Sequence, residues 1–95
     1  MVVHVVCFKY KSTVGAAERA QHRARLQALR DIDGIVNLQV GEDIVRSARS
    51  YDTGLVITFG DRSALDAYQT NPRHVPVAQL GVASCESIVS VDFDA

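Results

Sequence analysis

The sequence predicts an α+β fold of ferredoxin-like type, β-α-β-β-α-β, with a four-stranded antiparallel sheet and its helices on one face. Three observations predict it. Four β-branched or apolar runs, at 2–10, 34–43, 52–61 and 86–94, are interleaved with helix-forming runs at 15–31, 61–70 and 73–80. The two crossovers are right-handed, which places the helices together and strands one and three at the sheet centre. The strands are apolar on both faces, although the helices of a 95-residue chain can cover only one.

"VVHVVCFKY" (2–10) is β-branched and apolar and reads as the first strand. Residues 15–31 are rich in Ala, Leu, Arg and Gln, which favour helix; Ser12 or Thr13 is the expected cap and Gly34 follows the end. "GIVNLQVGED" (34–43) sets Val36, Leu38 and Val40 against Asn37 and Gln39, a half-exposed strand. Residues 44–50 form a loop before the apolar strand "DTGLVITFGD" (52–61). Residues 61–70 form a short helix capped by Asp61 or Ser63. Asn71-Pro72 breaks it, a second short helix covers 73–80 and ends at Gly81, and "ESIVSVDFD" closes the sheet.

The whole chain, residues 1–95, reads as one domain with one core. Its 47% apolar and 22% charged residues and net charge of −1 give no basic stripe, which argues against a nucleic-acid or anionic-membrane binder. No apolar run reaches spanning length and no charged region precedes the first apolar stretch, so a cytoplasmic protein is expected. Cys7 and Cys85 lack metal-ligand spacing and read as buried free thiols. No His-x-x-x-His pair and no phosphate-cradling glycine run occurs; Gly41, Gly54, Gly60 and Gly81 read as turn or bulge glycines, and neither metal nor cofactor is expected.

Strand alternation sends His4, Val6 and Phe8 to one face and Val3, Val5 and Cys7 to the other. In strand three, Leu55, Ile57 and Phe59 oppose Val56 and Thr58. Val3, Val5, Cys7 and Val56, with Val89 and Val91, would leave several hundred Å² of apolar surface uncovered, large for a monomer. A second copy packed sheet to sheet, a symmetric homodimer, covers it.

"VVHVVCFKYK", "YDTGLVITFGDRSALDAYQTNPRHVPVAQ" and the closing "VDF" together resemble the stress-responsive A/B barrel (Dabb) family over roughly residues 2–93. The resemblance implies a dimeric α/β barrel with a pocket between sheet and helices of each subunit. It also implies an olivetolic acid cyclase-like pocket motif, whose chemistry is cofactor-free ring closure by aldol condensation. By position, that motif places a catalytic histidine at His74, a catalytic tyrosine at Tyr68 and a pocket histidine at His4. The aromatic residues of the family pocket on the first helix fall near His22 and Leu26 and are not kept.

Each candidate carries two readings. His74 follows Pro72 at a helix start, whose partial positive charge disfavours imidazolium and suits a proton acceptor; the alternative is a plug at the helix junction. Tyr68 lies one turn before the break and could hydrogen-bond His74 or pack as a core aromatic beside Leu65. His4 sits on an apolar face and needs a partner, either a pocket group or water. His22 shares a stripe with Leu26 and Leu29, or pairs with Glu18 at the rim. Arg73 could meet an anionic group or stand in solvent. If the chain is an enzyme, His74 is the base, Tyr68 the hydrogen-bond donor and His4 the orienting group for a small apolar carbonyl compound. Val6, Phe8, His22, Leu26, Leu55, Ile57, Phe59 and Val77 are then the expected walls. The alternative is a non-catalytic stress-response or ligand-binding module.

Overall fold

A computed structural model describes all residues, 1–95. β1 (Val2–Tyr10) lies at the centre, β3 (Thr53–Phe59) and β4 (Cys85–Asp94) flank it, and β2 (Ile35–Glu42) pairs with β3 at the edge. The order is β2-β3-β1-β4 and every pairing is antiparallel. Helices α1 (Ala16–Gln27), α2 (Arg62–Gln69) and α3 (His74–Ser84) supply the other layer. The ferredoxin-like order and the central position of strands one and three match the sequence reading.

Several local details differ from it, each for a physical reason. α1 starts later: Gly15 is the N-cap, and the Glu18 carboxylate reaches back to accept the Gly15 N–H at 3.4 Å, rather than Ser12 or Thr13 capping. The helical run also tightens into a 3₁₀ turn at Ala28–Asp31 instead of continuing as one helix. The chain must reverse there: Ile32 is already extended, and Gly34 takes φ +93°. An added Cβ at Gly34 would lie 2.6 Å from the Ala64 Cβ, so both backbone angle and space require glycine.

In β2 the register slips between Ile35 and Asn37, and Val36 faces out at 56% exposure instead of joining Leu38 and Val40. Asp61 caps α2 as expected, accepting the Ala64 N–H at 2.9 Å. α3 does not end at Gly81. It runs on to Ser84 and passes directly into β4, so Gly81 is an interior helix residue, buried and packed closely on His22 and Phe8. Pro76 falls within the first turn of α3, where no N–H is needed.

The core lies between sheet and helices. Val6 and Phe8 of β1 and Leu55, Ile57 and Phe59 of β3 meet Leu26, Leu65, Tyr68 and Val77 from the helices. The opposite face has no cover within the chain. Pairing sets Val3, Val5 and Cys7 beside Phe93, Val91 and Val89, and the last three are 47%, 56% and 48% exposed. Cys7 is half-buried, Cys85 is buried, and both are free thiols. No helix is long and apolar enough to cross a membrane.

Candidate functional site

A cavity of about 260 Å³ lies between the β1–β4 half of the sheet and the helices. Its walls are mostly apolar, with Val82 and Ile88 at the rim, and polar groups gather at one end: His4, Tyr68, Gln69, His74 and Asp92. Strand alternation and helix geometry explain the convergence. His4 shares the inward parity of Val6 and Phe8. Tyr68 is the buried residue of the last turn of α2, one turn after Leu65. The Asn71–Arg73 turn then reverses the chain and delivers His74 as the first residue of α3.

The α3 start is fixed by backbone bonds. The Asn71 carbonyl accepts the His74 and Val75 N–H groups at 2.9 and 3.0 Å, and the Asn71 side chain accepts the Arg73 N–H at 2.8 Å. Arg73 turns away from the cavity. Its guanidinium donates to the Ala28 carbonyl at 2.9 Å and to Asp31 at 2.7 Å, tying α3 to the 3₁₀ turn, so it is neither a pocket cation nor a free surface arginine.

His4 finds its partner across the sheet. It stands opposite Asp92 in the β1–β4 register, and its Nδ1 bonds the Asp92 carboxylate. The carboxylate accepts, so Nδ1 is the donor. Sequence reasoning offered only a pocket group or water for this role.

Tyr68 and His74 meet, but not through a hydrogen bond. Their rings stack at 4.0 Å with an interplanar angle of 28°, and the His4 ring meets Tyr68 edge-on at 6.1 Å. Tyr68 is only 1% exposed, and burial pushes its phenol well above the usual tyrosine range. Its hydroxyl has no protein partner. His74 Nδ1 is buried and also unpartnered. Burial is the leading cause that lowers the His74 pKa, and His4 nearby adds to it; the Gln69 and Tyr68 carbonyls act the other way. His74 is therefore neutral at pH 7, as expected, with burial rather than the helix terminus as the leading cause.

Val6, Phe8, Leu26, Leu55 and Val77 line the cavity. Ile57 and Phe59 do not: each is 0% exposed, locked into the core beneath the helices. His22 is also not a wall. It lies behind Phe8, ring to ring at 4.9 Å, with Nδ1 2.7 Å from the Tyr10 hydroxyl, and it makes no pair with Glu18. That hydroxyl continues to Thr53 at 3.0 Å, and Thr53 accepts from Arg23 at 3.4 Å. Burial, then the charge of Arg23, lowers the His22 pKa.

The chief residue that sequence reasoning missed is Asp92. The signal was present in the β4 alternation, which sends Ile88, Ser90 and Asp92 to the face opposite Val89, Val91 and Phe93. Gln69, Ala78 and Val82 were missed because α2 and α3 show which side faces the cavity only after docking. No three His, Cys, Asp or Glu side chains are grouped to hold a metal ion.

The family model for the stress responsive A/B barrel domain matches residues 2–95. No curated protein matches the sequence. Several solved structures share the fold. A dimeric ferredoxin-like protein of unknown function from Thermobifida fusca is 24% identical, with 99% of this chain and 90% of that chain covered and a TM-score of 0.91. Another such dimeric protein, from Jannaschia sp., is 27% identical over 99% and 98% of the two chains, with a TM-score of 0.82. The hydroxynitrile lyase of Passiflora edulis is 21% identical over 97% and 90%, with a TM-score of 0.87.

Proposed function

We propose that this chain, which belongs to the stress responsive A/B barrel (Dabb) family, acts as a homodimer that binds a small carbonyl compound and moves its protons without a cofactor. The observation that carries this reading is the convergence of polar side chains on one end of an otherwise apolar chamber. His4, Tyr68 and His74 line it together with Asp92, which bonds His4; His74 Nδ1 is buried without a hydrogen-bond partner, as is His22 Nε2 away from the chamber. A few convergent polar groups in a mostly apolar cavity point to a ligand.

The chemistry follows from these states. A neutral His74 accepts the proton α to the substrate carbonyl. The Tyr68 hydroxyl donates a hydrogen bond to the carbonyl oxygen as it gains negative charge. His4 Nε2 accepts from a substrate hydroxyl and sets the orientation, with Asp92 holding the ring. The enolate then attacks a second carbonyl within the same molecule, an aldol-type ring closure like that of polyketide cyclases. The proton held by His74 returns to the new alkoxide. The Passiflora edulis neighbour, which shares the fold, is a hydroxynitrile lyase.

The dimer reading rests on Val89, Val91 and Phe93, exposed beside Val3, Val5 and Cys7 on the uncovered face. The Thermobifida fusca and Jannaschia neighbours, both dimeric, support it.

A second reading, a ligand-binding module without catalysis, is favoured by the Tyr68–His74 stack, since rings 4.0 Å apart also pack as core. Exchange of α-protons for deuterium in propiophenone, followed by proton NMR, separates the two. Catalysed exchange that is lost in His74→Asn and Tyr68→Phe supports the enzyme. Binding without exchange supports the module.

A further inference from the structure

We infer that the chamber selects uncharged compounds on the order of ten non-hydrogen atoms and excludes carboxylates and phosphates. This inference rests on the preceding reading that the chamber is the ligand site. Three observations carry it, and none depends on the identity of the reaction.

The first is volume. A space of about 260 Å³ holds about nine waters at roughly 30 Å³ each. That suits a single ring with a short substituent, or a short branched chain.

The second is the absence of a cation. No lysine or arginine lines the chamber; its one charged side chain is Asp92, a carboxylate already bonded to His4. Arg73, the closest arginine in sequence to the catalytic pair, is held outside by Ala28 and Asp31. An anion moved into such a space loses part of its hydration, gains no opposite charge and meets Asp92. A neutral carbonyl loses far less and finds the Tyr68 hydroxyl.

The third is the charge beside its polar end. A polar groove adjoins the chamber and shares Gln69 and Asp92 with it. Asp66, Asp92 and Asp94 line this groove against one guanidinium, Arg62, and Arg62 is committed to Asp66 at 3.1 Å. The charge excess beside the chamber's polar end is therefore negative, which disfavours an anion there.

The titratable groups facing the chamber are His4 of β1, Tyr68 of α2, His74 of α3 and Asp92 of β4. Protonation of His74 or of His4 would add a cation, so discrimination is read at pH 7.5, where the lowered His74 pKa leaves that ring neutral.

The test is an NMR titration of the intact protein with benzaldehyde and, separately, with benzoate, following the Tyr68 and His74 ring signals. Benzaldehyde is expected to shift both signals and to bind at least tenfold more tightly. Asp92→Asn is expected to narrow that ratio at least threefold, and added salt is expected to narrow it in the unaltered protein, a readout independent of whether the variant folds. Benzoate binding as tightly as benzaldehyde overturns the selectivity and leaves the acid-base reading standing. If neither compound shifts either signal, both the selectivity and the ligand-site reading fall.

Discussion

Replacing Tyr68 by Phe removes one oxygen and leaves the ring in place. The ring is 1% exposed, stacks on His74 at 4.0 Å and meets Phe59 at a tilt at 5.2 Å, contacts that phenylalanine keeps. Truncation to alanine at such a position costs about 3–5 kcal/mol, so the Phe variant isolates the hydroxyl from the packing. A hydroxyl kept for structure contributes about 0.5–1.5 kcal/mol through its hydrogen bond, and its loss destabilises. A buried hydroxyl without a partner carries a cost of about 1–3 kcal/mol, and its removal recovers part of it. Because this hydroxyl borders an open chamber, the lower end applies: Tyr68→Phe is expected to be neutral or stabilising by up to about 1 kcal/mol. Urea unfolding at one fixed protein concentration measures this, since the stability of a dimer depends on concentration. The midpoint should hold or rise at unchanged slope. A loss above about 1 kcal/mol at the same slope would show that the hydroxyl is part of the scaffold and refute its assignment to substrate.

Gly34→Ala should destabilise by about 2–5 kcal/mol, combining a left-handed backbone angle with overlap against Ala64; a neutral result in thermal unfolding would contradict the turn geometry. Val91→Ala tests the uncovered face. Val91 is 56% exposed, so deleting two carbons at about 0.8 kcal/mol each, scaled by that exposure, costs about 0.9 kcal/mol per subunit. Over a symmetric dimer this is about 1.8 kcal/mol, roughly a 20-fold weaker association by sedimentation equilibrium; an unchanged constant would place the interface elsewhere. For pH, His22 and His74 have folded pKa values below the ordinary 6.5. Stability from keeping them neutral is complete above about 6.5 and is lost as pH falls through the folded values. The urea midpoint should therefore drop between pH 7.5 and 5.5, less steeply in His74→Asn, and a flat profile would contradict the burial of both rings.

The strands were legible because β-branched runs such as Val2–Tyr10 are unambiguous, and the two-faced apolar pattern already marked the back of the sheet. Local reversals were less so. Nothing in "IVNLQV" distinguishes a regular strand from one bulged at Val36, because the bulge is set by the pairing with β3. Gly81 looked like a helix stop; its role is spatial, since α3 passes close over Phe8 and His22 there. In the candidate site, His4, Tyr68 and His74 stood out as polar residues at positions that fold inward. Asp92 lies 88 positions from His4 and becomes its neighbour only through the antiparallel β1–β4 register. His22 was misplaced for the converse reason. It lies on the inward stripe of α1, but its ring packs against Phe8 and Tyr10 and does not line the cavity.

The pH profile of α-deuteration of propiophenone, taken for the unaltered protein and for His74→Asn, is the most direct test of proton transfer in the chamber. The rate should be level above pH 7 and fall along a one-proton limb centred below the ordinary histidine value of 6.5, and His74→Asn should remove both the rate and the limb. A limb centred at or above that value, or one that persists in His74→Asn, would contradict a buried neutral imidazole as the base.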